Sequence, residues 1–210
     1  MNKKIQLFFL VILILTSCKS AEQRKIHAIQ KFGYLDSIEP SKENISLYAS
    51  KWGIEPNELY ILDQESYKKT IWSFYENNKR LTHDLYQWHQ LFVFNADENL
   101  ISYQLNCRTK IVANDWDYNS RGTFSTYPPS DNSLKEFNKE LKLSQLSPHF
   151  INEAGNALNE ENIKDFELII VTYWSIYHGR QSQKLIQTVL DYKKKHTDKR
   201  IKYVFVNNDE

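Results

Sequence analysis

The chain has 210 residues, with 27 Lys and Arg against 26 Asp and Glu, 41% apolar residues and two cysteines, Cys18 and Cys107. That length and apolar share suffice for one domain with a real core, and a near-neutral chain without a basic cluster speaks against a nucleic-acid partner. Two cysteines exclude a multi-cysteine metal site. The histidines, His27, His83, His89, His149, His178 and His196, show no H-x-x-x-H or H-E-x-x-H spacing, so neither a metal nor a cofactor is expected.

At the start, M-N-K-K is followed by I-Q-L-F-F-L-V-I-L-I-L, Ile5 to Leu15. This apolar run has the length of a signal h-region and is too short for a spanning helix with polar flanks. It ends in L-T-S-C, Leu15 to Cys18, which resembles the lipobox of bacterial lipoproteins. The resemblance implies that residues 1–17 are removed and that Cys18 carries lipid. Cys107 would then be the sole thiol of a mature chain in an oxidising compartment, with no intramolecular disulfide. No acidic run follows Cys18, so the expected place is the bacterial cell envelope, at the outer membrane facing the periplasm.

Residues 18–40 read as a lipid-anchored tether passing into a short helix. S-K-E-N-I-S-L-Y-A-S-K-W-G, Ser41 to Gly53, predicts a helix with Ser41 as N-cap and Gly53 as stop. E-L-Y-I-L, Glu58 to Leu62, predicts a short strand. Asp63 then caps a second helix with Tyr67, Ile71, Phe74 and Tyr75 on one face. Two apolar runs, Leu91–Phe94 and Leu100–Leu105, flank N-A-D-E-N and predict a hairpin. Residues 107–132 hold one short strand at best and then a polar and aromatic loop. Within them, D-W-D-Y, Asp115 to Tyr118, is either a sugar- or cation-meeting cluster or a structured loop. Two further helices are expected, one from about Ser133 with Leu134, Phe137 and Leu141 inward. The other runs near Pro148 to Leu158, with Phe150, Ile151 and Ala154 inward.

The last fifty residues carry the clearest pattern. Phe166–Trp174 is continuously apolar, as a strand covered on both faces would be. Gly179 to His196 is helical, with Leu185, Ile186, Val189 and Leu190 together and Lys193–Lys195 near the negative end of the helix dipole. Lys202–Val206 is a second buried strand, completing a βαβ unit.

Between strand and helix stands Y-W-S-I-Y-H-G-R-Q, with Trp174 four residues before His178-Gly179. This W-x-x-x-H-G-x-x setting resembles the thioredoxin fold, whose pattern is a strand, a Trp, a short loop and Cys-Gly-Pro-Cys at a helix start. The resemblance covers residues 166–210 and implies an α/β fold with a thioredoxin-like βαβ core. Beyond the second strand the family continues into a cis-Pro loop, an antiparallel hairpin and a last helix. Here a similar hairpin lies upstream, with no proline just before Leu91, so it is expected to complete a mixed sheet in permuted order. Residues 41–165 would be a helical and hairpin region packing on that core.

Both motif cysteines are replaced, by His178 and Gln181. A helix N-terminus favours an attacking thiolate that forms a mixed disulfide for a second thiol to resolve. Neither an imidazole nor an amide can do this, so no residue is expected to be catalytic. The chain is expected to be a redox-inactive, membrane-anchored module that binds a protein or an extended peptide. The candidate binding residues are Trp174, Tyr177, His178, Gly179, Arg180 and Gln181. Against this, Trp174 and Tyr177 read more readily as core and rim packing, and His178 more readily as part of an exposed loop. Two other classes stay open: a thiol-dependent redox enzyme using Cys107, itself readable as a small buried apolar residue, and a structural or immunity-type lipoprotein.

Overall fold

The run LIIVTYW, Leu168–Trp174, is buried at every position and occupies the middle of a six-stranded mixed sheet. The computed structural model describes residues 38–105, 110–112, 115–130 and 140–209. The signal-like segment, the tether, Cys18, Cys107 and most of the helix expected from Ser133 lie outside the described residues.

In chain order the helices are α1 (Lys42–Lys51), α2 (Gln64–Ser73), α3 (Lys79–Leu85) and α4 (Gly179–Lys195). The strands are β1 (Leu59–Leu62), β2 (Gln90–Asn95), β3 (Leu100–Leu105), β4 (Lys110–Val112), β5 (Asp115–Asp117), β6 (Phe150–Ile151), β7 (Leu168–Trp174) and β8 (Ile201–Asn207). The main sheet has the order β3-β2-β7-β8-β1-β6. Strands β7, β8 and β1 are parallel, with Leu168 opposite Ile201 and Leu59 opposite Phe205. The hairpin β2–β3 lies antiparallel on the other side of β7, Gln90 opposite Tyr173. The upstream hairpin therefore joins the carboxyl-terminal strands, and the sheet draws on both sides of residue 166.

Side chains of β7 alternate between two cores, as the period of a strand requires. Ile169, Val171 and Tyr173 face a cluster with Tyr67, Ile71, Leu81 and Leu85 of α2 and α3. Leu168, Ile170 and Trp174 face Ile45 and Ala49 of α1 and Leu185, Ile186 and Val189 of α4. Because helices cover both faces, the central strands lack polar alternation. Glu58, at the rim of the second core, forms an ion pair at 2.7 Å with Lys193 in the last turn of α4.

Several elements differ from expectation. Where a helix was expected near Pro148 to Leu158, the chain makes a 3-10 turn, Ser147–His149, and then β6, antiparallel to β1. The residues after β6 turn back because Gly155 takes φ +82° and the Asn152 side chain accepts from the Asn156 amide. Ala154 is exposed rather than inward. Residues 107–132 hold two short strands, β4 and β5, paired antiparallel. Tyr75 falls in the turn after α2 and is 40% exposed, off the inward face of Tyr67 and Ile71. Helix α3 was not anticipated; its Asn78 cap accepts from the Leu81 amide at 2.9 Å.

Candidate functional site

The parallel strands β1, β7 and β8 end at Leu62, Trp174 and Asn207, and the antiparallel β2 begins at Gln90 beside them. One end of the sheet thus gathers strand carboxyl ends, where open α/β sheets hold their ligands. A cavity of about 350 Å³ opens there. Tyr67 and Leu85 of the helices, Tyr86 and Trp88 of the connecting loop, and Gln90, Tyr173 and Asn208 of the sheet end lie along its wall.

The loop between α3 and β2 is held by side-chain amides. Gln90 Nε2 donates to the Leu85 carbonyl at 2.8 Å and to that of Gln87 at 2.6 Å. Asn208 Nδ2 donates to the Trp88 carbonyl at 2.9 Å, and the Tyr67 hydroxyl donates to Leu85 at 3.0 Å. These bonds fix which way both amides point. Gln90 Oε1 and Asn208 Oδ1 are buried and have no hydrogen-bond partner among the described residues, whereas the Tyr173 hydroxyl lies against that of Tyr67, whose oxygen can accept its proton. Burial holds the Tyr67 and Tyr173 hydroxyls well above the ordinary phenol range, so both stay protonated.

Beside the cavity is the corner between β7 and α4. Ser182 Oγ donates to the Ser175 carbonyl at 2.6 Å and accepts from the Ser175 amide at 3.0 Å. Asp209 closes the other side, its carboxylate accepting from the Ser175 hydroxyl, from the Ile176 amide and, at 2.8 Å, from Asn207 Nδ2. Burial pushes the Asp209 carboxyl up, and these hydrogen bonds partly oppose it. His178 stands just before the first turn of α4, with its ring 5.2 Å from Trp88 and 5.1 Å from His89.

His89, which the sequence offered only as a distant base for Cys107, is wholly buried with Nε2 2.9 Å from Ser182 Oγ. Since the single Ser182 proton lies on the Ser175 carbonyl, His89 must donate from Nε2, which leaves Nδ1 bare. Burial, with a smaller contribution from His178, drives its pKa down to about 3. A serine, a histidine and an aspartate therefore meet here without forming a catalytic triad. The imidazole lone pair does not face the hydroxyl, Asp209 does not touch His89, and all three groups are buried. The set braces the corner.

The six candidate residues divide clearly. Trp174 is fully buried, its ring 5.4 Å from Trp52 in an edge contact, and it belongs to the core. Gly179 is buried, Arg180 is exposed, and Tyr177 and His178 are half-buried. Burial lowers the pKa of His178 and keeps the ring neutral. Gln181 is buried, and its Oε1 has no partner among the described residues. In the D-W-D-Y cluster, Asp115–Asp117 is strand β5 and Tyr118 is buried. Exposed aromatic residues occur instead at Trp72, Tyr75, Tyr86 and Trp88, with Trp72 5.1 Å from Tyr75 and 6.0 Å from Tyr86.

Among the described residues no group of three His, Cys, Asp or Glu could hold a metal ion, and no helix is long and apolar enough to cross a membrane. The chain matches no protein-family model, no curated protein and no solved structure.

Proposed function

We propose that this chain is a lipid-anchored envelope protein, held at the outer membrane on its periplasmic side. Its thioredoxin-like domain binds a protein or peptide and passes no electrons between thiols. The sheet order β1-β8-β7-β2-β3 supports the thioredoxin-like reading, with α4 joining parallel β7 to β8 and the hairpin antiparallel to β7. The hairpin comes from upstream in the chain, so the order of connection is permuted.

One observation carries the binding reading: the cavity at the strand ends opens beside exposed Tyr86 and Trp88, with Trp72 and Tyr75 continuing the aromatic strip. Trp and Tyr dominate the energetics of protein interfaces because they bury much area at little conformational cost. The motif corner meanwhile offers an imidazole and an amide where exchange chemistry needs sulfur.

The test uses the full chain in its native envelope, with a photo-crosslinking residue at position 88 and, as a control, at exposed Lys164. Discrete adducts from position 88 that vanish on Trp72→Ala, with none from position 164, are expected. Equal adducts from both positions would count against a defined binding face. In a parallel assay the purified chain is expected to reduce no disulfide substrate. Turnover that disappears in Cys107→Ser would establish the thiol-enzyme alternative instead.

A further inference from the structure

We propose that the aromatic strip beside the cavity docks a proline-rich segment in the polyproline II conformation, with an acidic residue next to its prolines. This rests on the reading that a peptide binds at this face, and it names the class of peptide.

The exposed large apolar side chains of the described residues are Leu47, Trp72, Tyr75, Tyr86 and Trp88, and all but Leu47 belong to the strip. Their rings stand at angles rather than in one plane: Trp72 is inclined 55° to Tyr75 and 65° to Tyr86, and Trp88 51° to His178. Two hollows adjoin the rings. One is bordered by Tyr86, Trp88 and Lys68, the other by Trp72, Lys68, Lys69 and Glu65, so Lys68 is common to both. A polyproline II segment suits such a row. It has about three residues per turn, rises about 3.1 Å per residue, and docks into aromatic-lined grooves with little loss of conformational freedom because it is already extended.

The polar chemistry points the same way. An indole N–H and a lysine ammonium donate hydrogen bonds and accept none. A proline-rich chain is their complement, because prolyl nitrogens carry no hydrogen and its carbonyls have no internal partner. The two hollows carry two lysines against one glutamate, and that glutamate, Glu65, already pairs with Lys69 at 2.7 Å. The positive surplus suits an acidic residue in the ligand. An ammonium has three N–H donors, so Lys68 can serve a carboxylate alongside the contact it already makes.

Other occupants fit less well. Strand addition is not available here, because the rings sit on α2, on the turn after it and in the loop before β2, whereas the sheet's edges belong to β3 and β6. An amphipathic helix needs a continuous apolar groove, and Lys68 divides these two hollows. A sugar chain can stack on such rings, but its hydroxyls need acceptors as well as donors, and the one carboxylate here is taken by Lys69. A chain without prolines must give up more conformational freedom to lie extended across the strip.

The test titrates the full chain in detergent with acetyl-Glu-Ala-Pro-Pro-Ala-Pro-Pro-amide, with its counterpart carrying Ala at every Pro, and with the version carrying Lys for Glu. It follows the indole N–H resonances of Trp72 and Trp88. The proline peptide is expected to bind roughly tenfold more tightly than its alanine counterpart and to shift both resonances. Glu should be preferred severalfold to Lys. Lys68→Glu, at an exposed position, should reverse that preference while moving the melting temperature little. Equal affinity for the proline and alanine peptides, or a Glu preference that persists in Lys68→Glu, would overturn the assignment and leave peptide docking standing. Resonance shifts with an N-acetylglucosamine oligomer but with no peptide would overturn both.

Discussion

His89 Nε2 stands 2.9 Å from Ser182 Oγ and ties the residue before β2 to the first turn of α4. The bond joins the two segments that meet at the candidate site, and it depends on a neutral ring whose pKa has been driven down to about 3. The sign follows directly. Between about pH 6.5, where histidine titrates in the unfolded chain, and the depressed folded value, the unfolded chain binds the extra proton. Stability therefore falls as pH drops through that window, by up to about 1.4 kcal/mol per pH unit for this group. His178 and His149 are depressed by burial and act in the same direction, whereas Asp209, whose carboxyl is pushed up, acts oppositely. Urea unfolding at several pH values between 7 and 4.5 should show the decline. His89→Gln keeps a donor for Ser182 but does not titrate, so its slope should be shallower by about one proton. An unchanged slope would mean that His89 is not the group responsible.

The carboxyl-terminal residues fasten the same corner. Asp209→Ala removes the acceptor for the Ser175 hydroxyl, the Ile176 amide and Asn207 Nδ2 at once. A buried donor left without a partner costs about 1–3 kcal/mol, and the three share one acceptor, so a loss of about 3 kcal/mol is expected. Ser175→Ala removes a donor along with its need and should cost about 1 kcal/mol. Urea denaturation of the two variants, compared at one pH, checks the ranking. A smaller loss for Asp209→Ala than for Ser175→Ala would show that the carboxylate does not hold the turn.

Local rules made much of the fold legible. The apolar runs that became β7 and β8, the stripe of α4, the Ser41 and Asp63 caps and the hairpin at residues 90–105 all announce themselves through period and turn chemistry. Residues 143–163 were harder, because Phe150 and Leu158 gain their burial from β1 and the distant helices rather than from a local period. The candidate site was the least legible part. The motif corner lies at the same end of the sheet as the cavity, but Trp174 turned out to be core. The polar wall comes from Gln90, Tyr173 and Asn208, which lie far apart in the chain and share no spacing. The one clue was chemical: uncharged polar residues at the ends of apolar runs, where a strand meets neither core nor bulk water.

Gly53 ends α1 in a left-handed conformation, φ +86°, with its amide on Ser50 O and the Ile54 amide on Ala49 O. This pair of bonds is the Schellman arrangement, which favours glycine because a side chain strains at positive φ. A Cβ here would also come within 3.1 Å of Leu190 Cδ1 on α4. Gly53→Ala is therefore expected to destabilise the chain by about 1–2 kcal/mol, read from the urea midpoint. At Gly155, also at positive φ (+82°), nothing lies within 4 Å of the added carbon, so the same substitution there measures backbone strain alone. If Gly155→Ala costs as much as Gly53→Ala, the Leu190 contact contributes nothing.

Membrane attachment and folding should separate cleanly if Cys18 carries the lipid. A single acyl chain gives only marginal membrane binding, so stable anchoring requires more than one chain on the same cysteine or an added contact. Cys18→Ser removes every thioether and amide-linked chain by blocking processing at that residue, while the described domain begins some twenty residues later, at Ile38. Metabolic labelling with radioactive palmitate should mark the native chain and leave Cys18→Ser unlabelled. The melting temperature of the folded domain should be the same in both. Labelling that persists in Cys18→Ser but is lost in Cys107→Ser would move the anchor to the other cysteine and remove the reason for placing this domain at a membrane surface by its amino terminus.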